Sequence, residues 1–124
     1  PLPRFTENTI NFLLRTALKT VVSLPFHYVN DLWRWELYRG EISEDNWNTR
    51  YWQLKELYLG VKPPNERTED HLDIFNIFHV NNDFDMIRYF TRTILQFQFA
   101  EVLCDTSGYV GPLHDCDFSS STEA

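Results

Sequence analysis

The sequence predicts a mainly α-helical chain that forms part of a larger helical body, with a short strand near residues 76–80. Apolar residues recur at intervals of three or four in four stretches, which is typical of amphipathic helices. Aromatic residues make up 16% of the 124 residues, too many for one small domain to bury comfortably. The longest predicted helix is apolar around almost its whole circumference, so it requires cover on all sides.

The first helix is expected near the amino terminus, with Thr6 or Asn8 as its cap. Its buried face carries apolar residues at helical spacing, namely Ile10, Leu13, Leu14, Ala17 and Val21. Pro25 breaks this pattern, so the helix should end or kink just before it. A second helix is predicted over residues 28–39 and closed by Gly40.

A third helix is predicted after Ser43, which precedes acidic residues that favour the positive end of a helix dipole. Its buried stripe consists of Trp47, Tyr51, Leu54 and Tyr58, and Gly60 ends it. Residues 61–73 contain Pro63, Pro64 and many charges, which predicts a loop.

Residues 77–80 are apolar and partly β-branched, which favours a brief strand, and residues 81–83 are typical of a turn. A long helix is predicted over residues 84–105, ending before Gly108. Its apolar side chains surround the helix axis: Ile87, Tyr89, Phe90, Ile94, Leu95, Phe97, Phe99, Val102 and Leu103. Three short helices can hardly cover it, so we expect the chain to be part of a larger body.

Composition excludes several classes of protein. With a net charge of −7 and a pI near 4.9, the chain lacks the basic surface of a nucleic-acid binder, so no nucleic-acid partner is expected. No apolar run reaches the roughly 18–20 residues that span a bilayer. An apolar fraction of 43% argues against disorder.

The four histidines, at positions 27, 71, 79 and 114, form no His-Glu-x-x-His pair, so the helix motif of zinc proteases is absent. Residues 114–117 contain histidine, cysteine and aspartate, but adjacent residues rarely converge on one metal, and no metal site is expected in this chain. Cys104 and Cys116 could form a disulfide or remain two buried thiols.

His79, Arg88 and Tyr89 form the most suggestive group. An imidazole and a phenol can both donate hydrogen bonds to a developing oxyanion. The alternative is a core histidine beside a packed tyrosine. Arg88 lies next to an apolar stretch and needs an anionic partner, because a buried guanidinium keeps its proton.

Several motifs, in one order, resemble the angiotensin-converting enzyme family of zinc peptidases. They are Leu24-Pro25-Phe26, Trp33-Arg34-Trp35, Phe78-His79-Val80, Ile87-Arg88-Tyr89, Gln96-Phe97-Gln98-Phe99 and Gly111-Pro112-Leu113-His114-x-Cys116-Asp117. The resemblance runs from about Ile10 to Ala124. Four further stretches favour the branch of the family typified by angiotensin-converting enzyme 2: residues 11–14, 78–83, 91–93 and 121–124.

The resemblance implies that residues 1–124 are a partial peptidase domain, from the later part of a large two-lobed helical zinc-peptidase domain. The zinc ligands and the general-base glutamate of the family lie upstream of this segment. It further implies peptide substrates, the rest of the peptidase domain as a partner, zinc and chloride as cofactors, and a secreted or membrane-anchored extracellular protein. The isolated chain is expected to be inactive.

By resemblance, His79 and Tyr89 are the catalytic pair that holds the peptide carbonyl and its tetrahedral intermediate. Arg88 corresponds to a chloride-sensing arginine, with Asp31 as its acidic partner. Chloride binding is also implied for Trp52, Lys55 and Tyr51, although Tyr51 replaces the usual tryptophan. Cys104 and Cys116 correspond to a family disulfide.

Dipeptide-releasing members fix the substrate carboxylate with a lysine and a tyrosine, where this chain has Ile77 and Met86. An unpaired carboxylate there would be costly, which favours release of single residues. The other candidates are a peptidyl-dipeptidase of the same family and a catalytically inactive homologue that serves as a binding or receptor ectodomain.

Overall fold

The computed structural model describes residues 7–123, which are mainly helical and contain no strand. Five α-helices follow in order: α1 (Glu7–Thr20), α2 (Ser23–Tyr38), α3 (Trp47–Leu59), α4 (Phe78–Asn81) and α5 (Ile87–Thr106). Short 3-10 turns occupy Glu44–Asn46, Glu69–His71, Asp73–Asn76 and Leu113–Asp115. The prediction of a mainly α-helical chain is confirmed. The chain divides into two compact units, Pro1–Phe90 and Thr91–Ala124.

The breaks between the first three helices lie close to the predicted positions. Helix α1 ends at Thr20, and Pro25 lies in the first turn of α2, where its missing N–H costs nothing. Helix α3 ends at Gly60, whose φ of +68° is the left-handed conformation that glycine adopts freely. Of the two predicted caps of α1, Asn8 lies inside the helix and Thr6 lies outside the described residues.

The core of the first unit is built around Trp33 of α2, which is fully buried. Its indole N–H donates to the carbonyl oxygen of Trp47 at 2.9 Å, and its ring meets that of Phe75 edge-on at 5.8 Å. The remaining buried apolar members of this cluster are Val29, Ile42, Tyr51, Leu54 and Ile74. Burial of six large side chains, at roughly 1.5–3 kcal/mol each, holds α2, α3 and the 73–76 turn together.

Much of the predicted loop 61–73 is fastened to α3 by side chains. The carboxylate of Glu69 accepts the backbone N–H groups of Asn48 and Thr49, at 2.6 and 3.0 Å, and so caps α3. The amide of Asn48 donates to the carbonyl oxygen of Thr68 at 2.7 Å and accepts the N–H of Asp73 at 2.9 Å. Asn48 is 1% exposed, so this end of the loop is anchored in the interior.

The predicted strand near residues 76–80 is wrong. Ile77 alone has extended backbone angles, and residues Phe78–Asn81 form the short helix α4. The N–H groups of Val80 and Asn81 bond to the carbonyl oxygen of Ile77, and that of Asn82 bonds to Phe78. Because these local bonds satisfy the backbone, and no neighbouring strand exists among residues 7–123, the helical turn replaces the strand.

Helix α5 begins three residues later than predicted and exposes much of its apolar surface. Phe97, Phe99 and Val102 are between 51 and 61% exposed. The cover that an all-round apolar helix requires is therefore not supplied by the described residues of this chain. Among residues 7–123, no helix combines the length and the apolar character needed to cross a membrane.

In the second unit, Cys104 and Cys116 form a disulfide, with their Cα atoms 6.2 Å apart. The bridge ties the end of α5 to the segment after the Leu113–Asp115 turn. Of the two alternatives that the residues alone leave open, the structure has the disulfide, as the family resemblance implies.

Candidate active site

The structure brings His79 and Tyr89 together in the first unit. Nε2 of His79 and the hydroxyl oxygen of Tyr89 lie 2.8 Å apart, within hydrogen-bond distance. The two rings meet almost perpendicularly, with centroids 5.2 Å apart. Both side chains are half-buried, so their polar atoms keep some access to solvent. Two adjacent donors of this kind can stabilise negative charge on one oxygen.

Arg88 lies beside the Tyr89 member of this pair. Its Nη2 atom donates to the Tyr89 hydroxyl at 3.3 Å, and its guanidinium carbon lies 5.0 Å from the centre of that ring. The hydrogen bond to Tyr89 is the main reason that the pKa of Arg88 is raised above its ordinary value. A permanent positive charge therefore lies beside the phenol oxygen.

The Asp31 side chain bonds the backbone at the start of α5. Its Oδ2 atom accepts the N–H groups of Met86 and Ile87, at 2.8 and 2.7 Å, at the start of α5. The ion-pair partner of Arg88 in the structure is Asp85, at 3.5 Å. The negative charge of Asp31 also contributes to the raised pKa of Arg88. Asp31 thus influences the predicted arginine while it caps the helix that carries it.

Sequence reasoning missed His27. Its ring lies 5.3 Å from that of Tyr89, tilted by 36°, so the phenol has an imidazole from α2 as well as one from α4. A histidine two positions after Pro25 carries no pattern that separates it from a core residue. Only the ring contact in the first unit reveals its place beside Tyr89.

The second predicted group lies on α3. The ammonium of Lys55 is 4.0 Å from the ring centre of Trp52 and 5.2 Å from that of Tyr51. Burial lowers the pKa of Lys55, with the charge of Asp73 opposing that shift. Burial also raises the pKa of Tyr51 to about 12, so its phenol stays neutral at physiological pH.

Within the described part of the chain, no carboxylate forms an ion pair with the ammonium of Lys55. The carboxylate of Asp73 instead accepts the indole N–H of Trp52, at 2.8 Å. The ammonium of Lys55 is therefore stabilised mainly by cation–π attraction to the two rings.

Among residues 7–123, no three histidine, cysteine, aspartate or glutamate side chains converge as a metal site. The expectation that the zinc ligands lie outside this chain stays a prediction.

Comparison with known proteins identifies the family. The profile of the peptidase M2 family, described as angiotensin-converting enzyme, matches residues 3–124. The chain is 44% identical to angiotensin-converting enzyme of Mesocricetus auratus over 118 residues, and 45% identical to that of Bos taurus over 119 residues. These matches cover 95% and 96% of this chain. The chain belongs to the angiotensin-converting enzyme family, whose members are in general zinc-dependent peptidases.

The chain is short beside these relatives. It is also 42% identical to angiotensin-converting enzyme of Oryctolagus cuniculus over 118 residues, and it spans 9% of the length of each of these three relatives. Residues 1–124 therefore correspond to a small part of those proteins.

Proposed function

We propose that this chain supplies the oxyanion-stabilising side of the active site in a zinc carboxypeptidase resembling angiotensin-converting enzyme 2. The observation that supports this proposal is the 2.8 Å contact between His79 and Tyr89, with Arg88 beside it. In the complete protein, the pair donates hydrogen bonds to the scissile carbonyl oxygen as it gains negative charge. Arg88 holds the phenol oriented toward the substrate.

Removal of single C-terminal residues fits the side chains at positions 77 and 86. Met86 is buried and Ile77 is half-buried, and neither offers a charge or a hydroxyl to a substrate carboxylate. A carboxylate placed there would lose its hydration without gaining a partner. The carboxylate-binding group of a single-residue carboxypeptidase is expected elsewhere in the complete protein.

The experiment is a product analysis with the complete zinc-loaded protein and an unblocked peptide of about ten residues. Mass spectrometry should show loss of one C-terminal residue at a time, and a chelator should stop it. Loss of two residues at a time would support a peptidyl-dipeptidase instead. Absence of any cleavage would support the inactive binding or receptor homologue.

The role of the pair is tested in the same assay with His79→Leu and Tyr89→Phe. Each substitution removes one donor to the oxyanion, so kcat should fall by about 100-fold or more with little change in KM. His71→Leu is the matched control, since His71 is an exposed histidine that bonds Thr68. Wild-type kcat in both test variants would overturn the assignment.

We further propose that chloride binds beside Lys55, Trp52 and Tyr51 and beside Arg88, and that the parent protein is extracellular. The disulfide between Cys104 and Cys116 supports an oxidising compartment. Activity should rise with chloride at constant ionic strength, and Lys55→Gln should weaken that response. A chloride response equal to that of wild type in Lys55→Gln would count against the site on α3.

A further inference from the structure

Arg34 of α2 is a buried arginine that bonds Asp83 and Phe84 in the connection between α4 and α5. Its side chain is only 8% exposed. One guanidinium nitrogen, Nη1, donates to the carbonyl oxygen of Phe84 at 2.6 Å, and the other, Nη2, bonds the carboxylate of Asp83. A buried guanidinium remains charged, so these bonds are needed to offset its lost hydration.

Asp83 is held from a second direction. The hydroxyl of Tyr38, at the end of α2, donates to the same carboxylate oxygen at 2.9 Å. The bonds from Tyr38 and Arg34 lower the pKa of Asp83. The backbone of Asp83 has a φ of +56°, a left-handed conformation that aspartate and asparagine tolerate better than most residues. The connection therefore turns sharply at a residue bonded to α2.

Asp31 extends the same network to the start of α5. Its Oδ1 atom lies 3.3 Å from Nη1 of Arg34, while its Oδ2 atom holds the N–H groups of Met86 and Ile87. Side chains of α2 thus bond Asp83, Phe84, Met86 and Ile87. The connection is fixed to α2 along nearly its whole length.

The connection is in turn bonded to both members of the candidate oxyanion pair. The N–H of Phe84 donates to the carbonyl oxygen of His79 at 2.8 Å, and the N–H of Tyr89 donates to that of Met86 at 3.0 Å. A shift of the connection would therefore change the distance between the His79 and Tyr89 side chains.

We propose that Arg34 is a positioning residue that keeps His79 and Tyr89 at hydrogen-bond distance by fixing Asp83 and Phe84 of the connection to α2. This inference rests on the proposed function of the pair. Arg34 acts through the connection, because its hydrogen bonds go to Asp31, Asp83 and Phe84. Misplacement of a catalytic group by about 1 Å can cost about 100-fold in rate.

The test uses the complete zinc-loaded protein with Arg34→Lys. Lysine keeps the charge but lacks the planar fork that reaches Phe84 and Asp83 together. We expect kcat to fall about 10- to 100-fold while KM stays within about twofold. Arg39→Lys is the matched control, because Arg39 is an exposed arginine just after α2 that pairs with Glu41; its kcat should remain that of wild type.

A second readout does not depend on activity. With 3-fluorotyrosine placed at position 89, the ¹⁹F resonance reports the environment of the phenol, and His79→Leu supplies the reference for a lost hydrogen bond. Arg34→Lys should move the resonance toward that reference. A wild-type resonance in Arg34→Lys would overturn the positioning role, whether or not kcat falls.

Asp83→Asn keeps the proposal falsifiable if Arg34→Lys does not fold. The Asp83 side chain is 80% exposed, and asparagine tolerates its backbone conformation, so the fold should survive. In Asp83→Asn, a smaller movement of the ¹⁹F resonance in the same direction supports the proposal. An unchanged resonance overturns it. If His79→Leu and Tyr89→Phe leave kcat unchanged, the proposed function fails, while the resonance still decides whether Arg34 positions the pair.

Discussion

His79 and Tyr89 share a 2.8 Å hydrogen bond across ten residues of sequence, one from α4 and the other from α5. Their rings are nearly perpendicular, with centroids 5.2 Å apart. Two groups bonded to each other in this way should act as one unit. Their contributions to catalysis should therefore not add.

A double-mutant cycle tests this coupling. We expect His79→Leu combined with Tyr89→Phe to cost less in kcat/KM than the sum of the single substitutions, by about 0.5–3 kcal/mol. The physical reason is that either substitution alone already removes the bond between them. Steady-state kinetics of the four proteins measures the difference, and strict additivity would contradict the expectation.

The ion pair between Glu36 and Arg50 should contribute to stability. Two bonds of 2.7 Å join α2 to α3, and the Glu36 side chain is only 10% exposed. Arg50→Gln leaves a nearly buried carboxylate without its partner and should lower the free energy of unfolding by about 1–3 kcal/mol.

Thermal unfolding of the complete protein measures this loss. Arg39→Gln is its control, since Arg39 makes two similar bonds to Glu41 but both side chains are about half exposed. Solvent screens such a pair, so the control should leave the unfolding temperature nearly unchanged. If Arg50→Gln and Arg39→Gln lowered the unfolding temperature equally, burial would not determine how much the ion pair contributes to stability.

Glu69 should make the first turn of α3 sensitive to acid. Burial alone would raise its pKa, but bonds from the Thr49 hydroxyl and from two backbone N–H groups outweigh burial and lower it. A lowered folded-state pKa means that its stabilisation is present above the unfolded value of about 4.3 and is lost as pH falls through the lower folded value.

Glu69→Gln should therefore be less stable than wild type at pH 6–7, with the difference shrinking below about pH 4. Unfolding temperatures between pH 3 and pH 7 measure the difference. Glu66→Gln changes an exposed neighbour and should follow wild type throughout. If the unfolding temperatures of Glu69→Gln and wild type differed by the same amount from pH 3 to pH 7, titration of Glu69 would not explain the difference.

The disulfide should stabilise the second unit. Cys104 and Cys116 are twelve positions apart, and closing a loop of this size contributes roughly 3 kcal/mol when the unfolded chain is flexible. Replacing both cysteines with serine should speed chymotrypsin cleavage at Tyr109, which lies inside the loop. Wild-type protein treated with a reductant should show the same change, and unchanged cleavage in both would contradict the prediction.

The sequence contains enough local information to predict where most helices end. Gly60 and Pro25 act through their own backbone geometry: Gly60 follows the last residue of α3, and Pro25 lies in the first turn of α2, soon after the break from α1. The pairing of His79 with Tyr89 came from family resemblance, because residue spacing alone is equally consistent with a packed core.

Features that depend on distant partners were not predictable in this way. Residues 77–80 suit a strand by composition, but a strand needs a neighbour, and α4 forms because its backbone bonds locally. The late start of α5 follows from Asp31, more than fifty positions earlier. The loop before Asp73 looked polar and irregular, yet Asn48 and Glu69 fasten it to α3.

The amide of Asn48 limits which amino acids evolution can place at that position. It donates to Thr68 and accepts from Asp73, so it must present both kinds of atom in a space closed to water. Aspartate has the same shape but only acceptors, and its charge would face the oxygen of Thr68. Alanine would leave two backbone groups unsatisfied. A library randomised at position 48 and selected for folded protein should return asparagine almost exclusively.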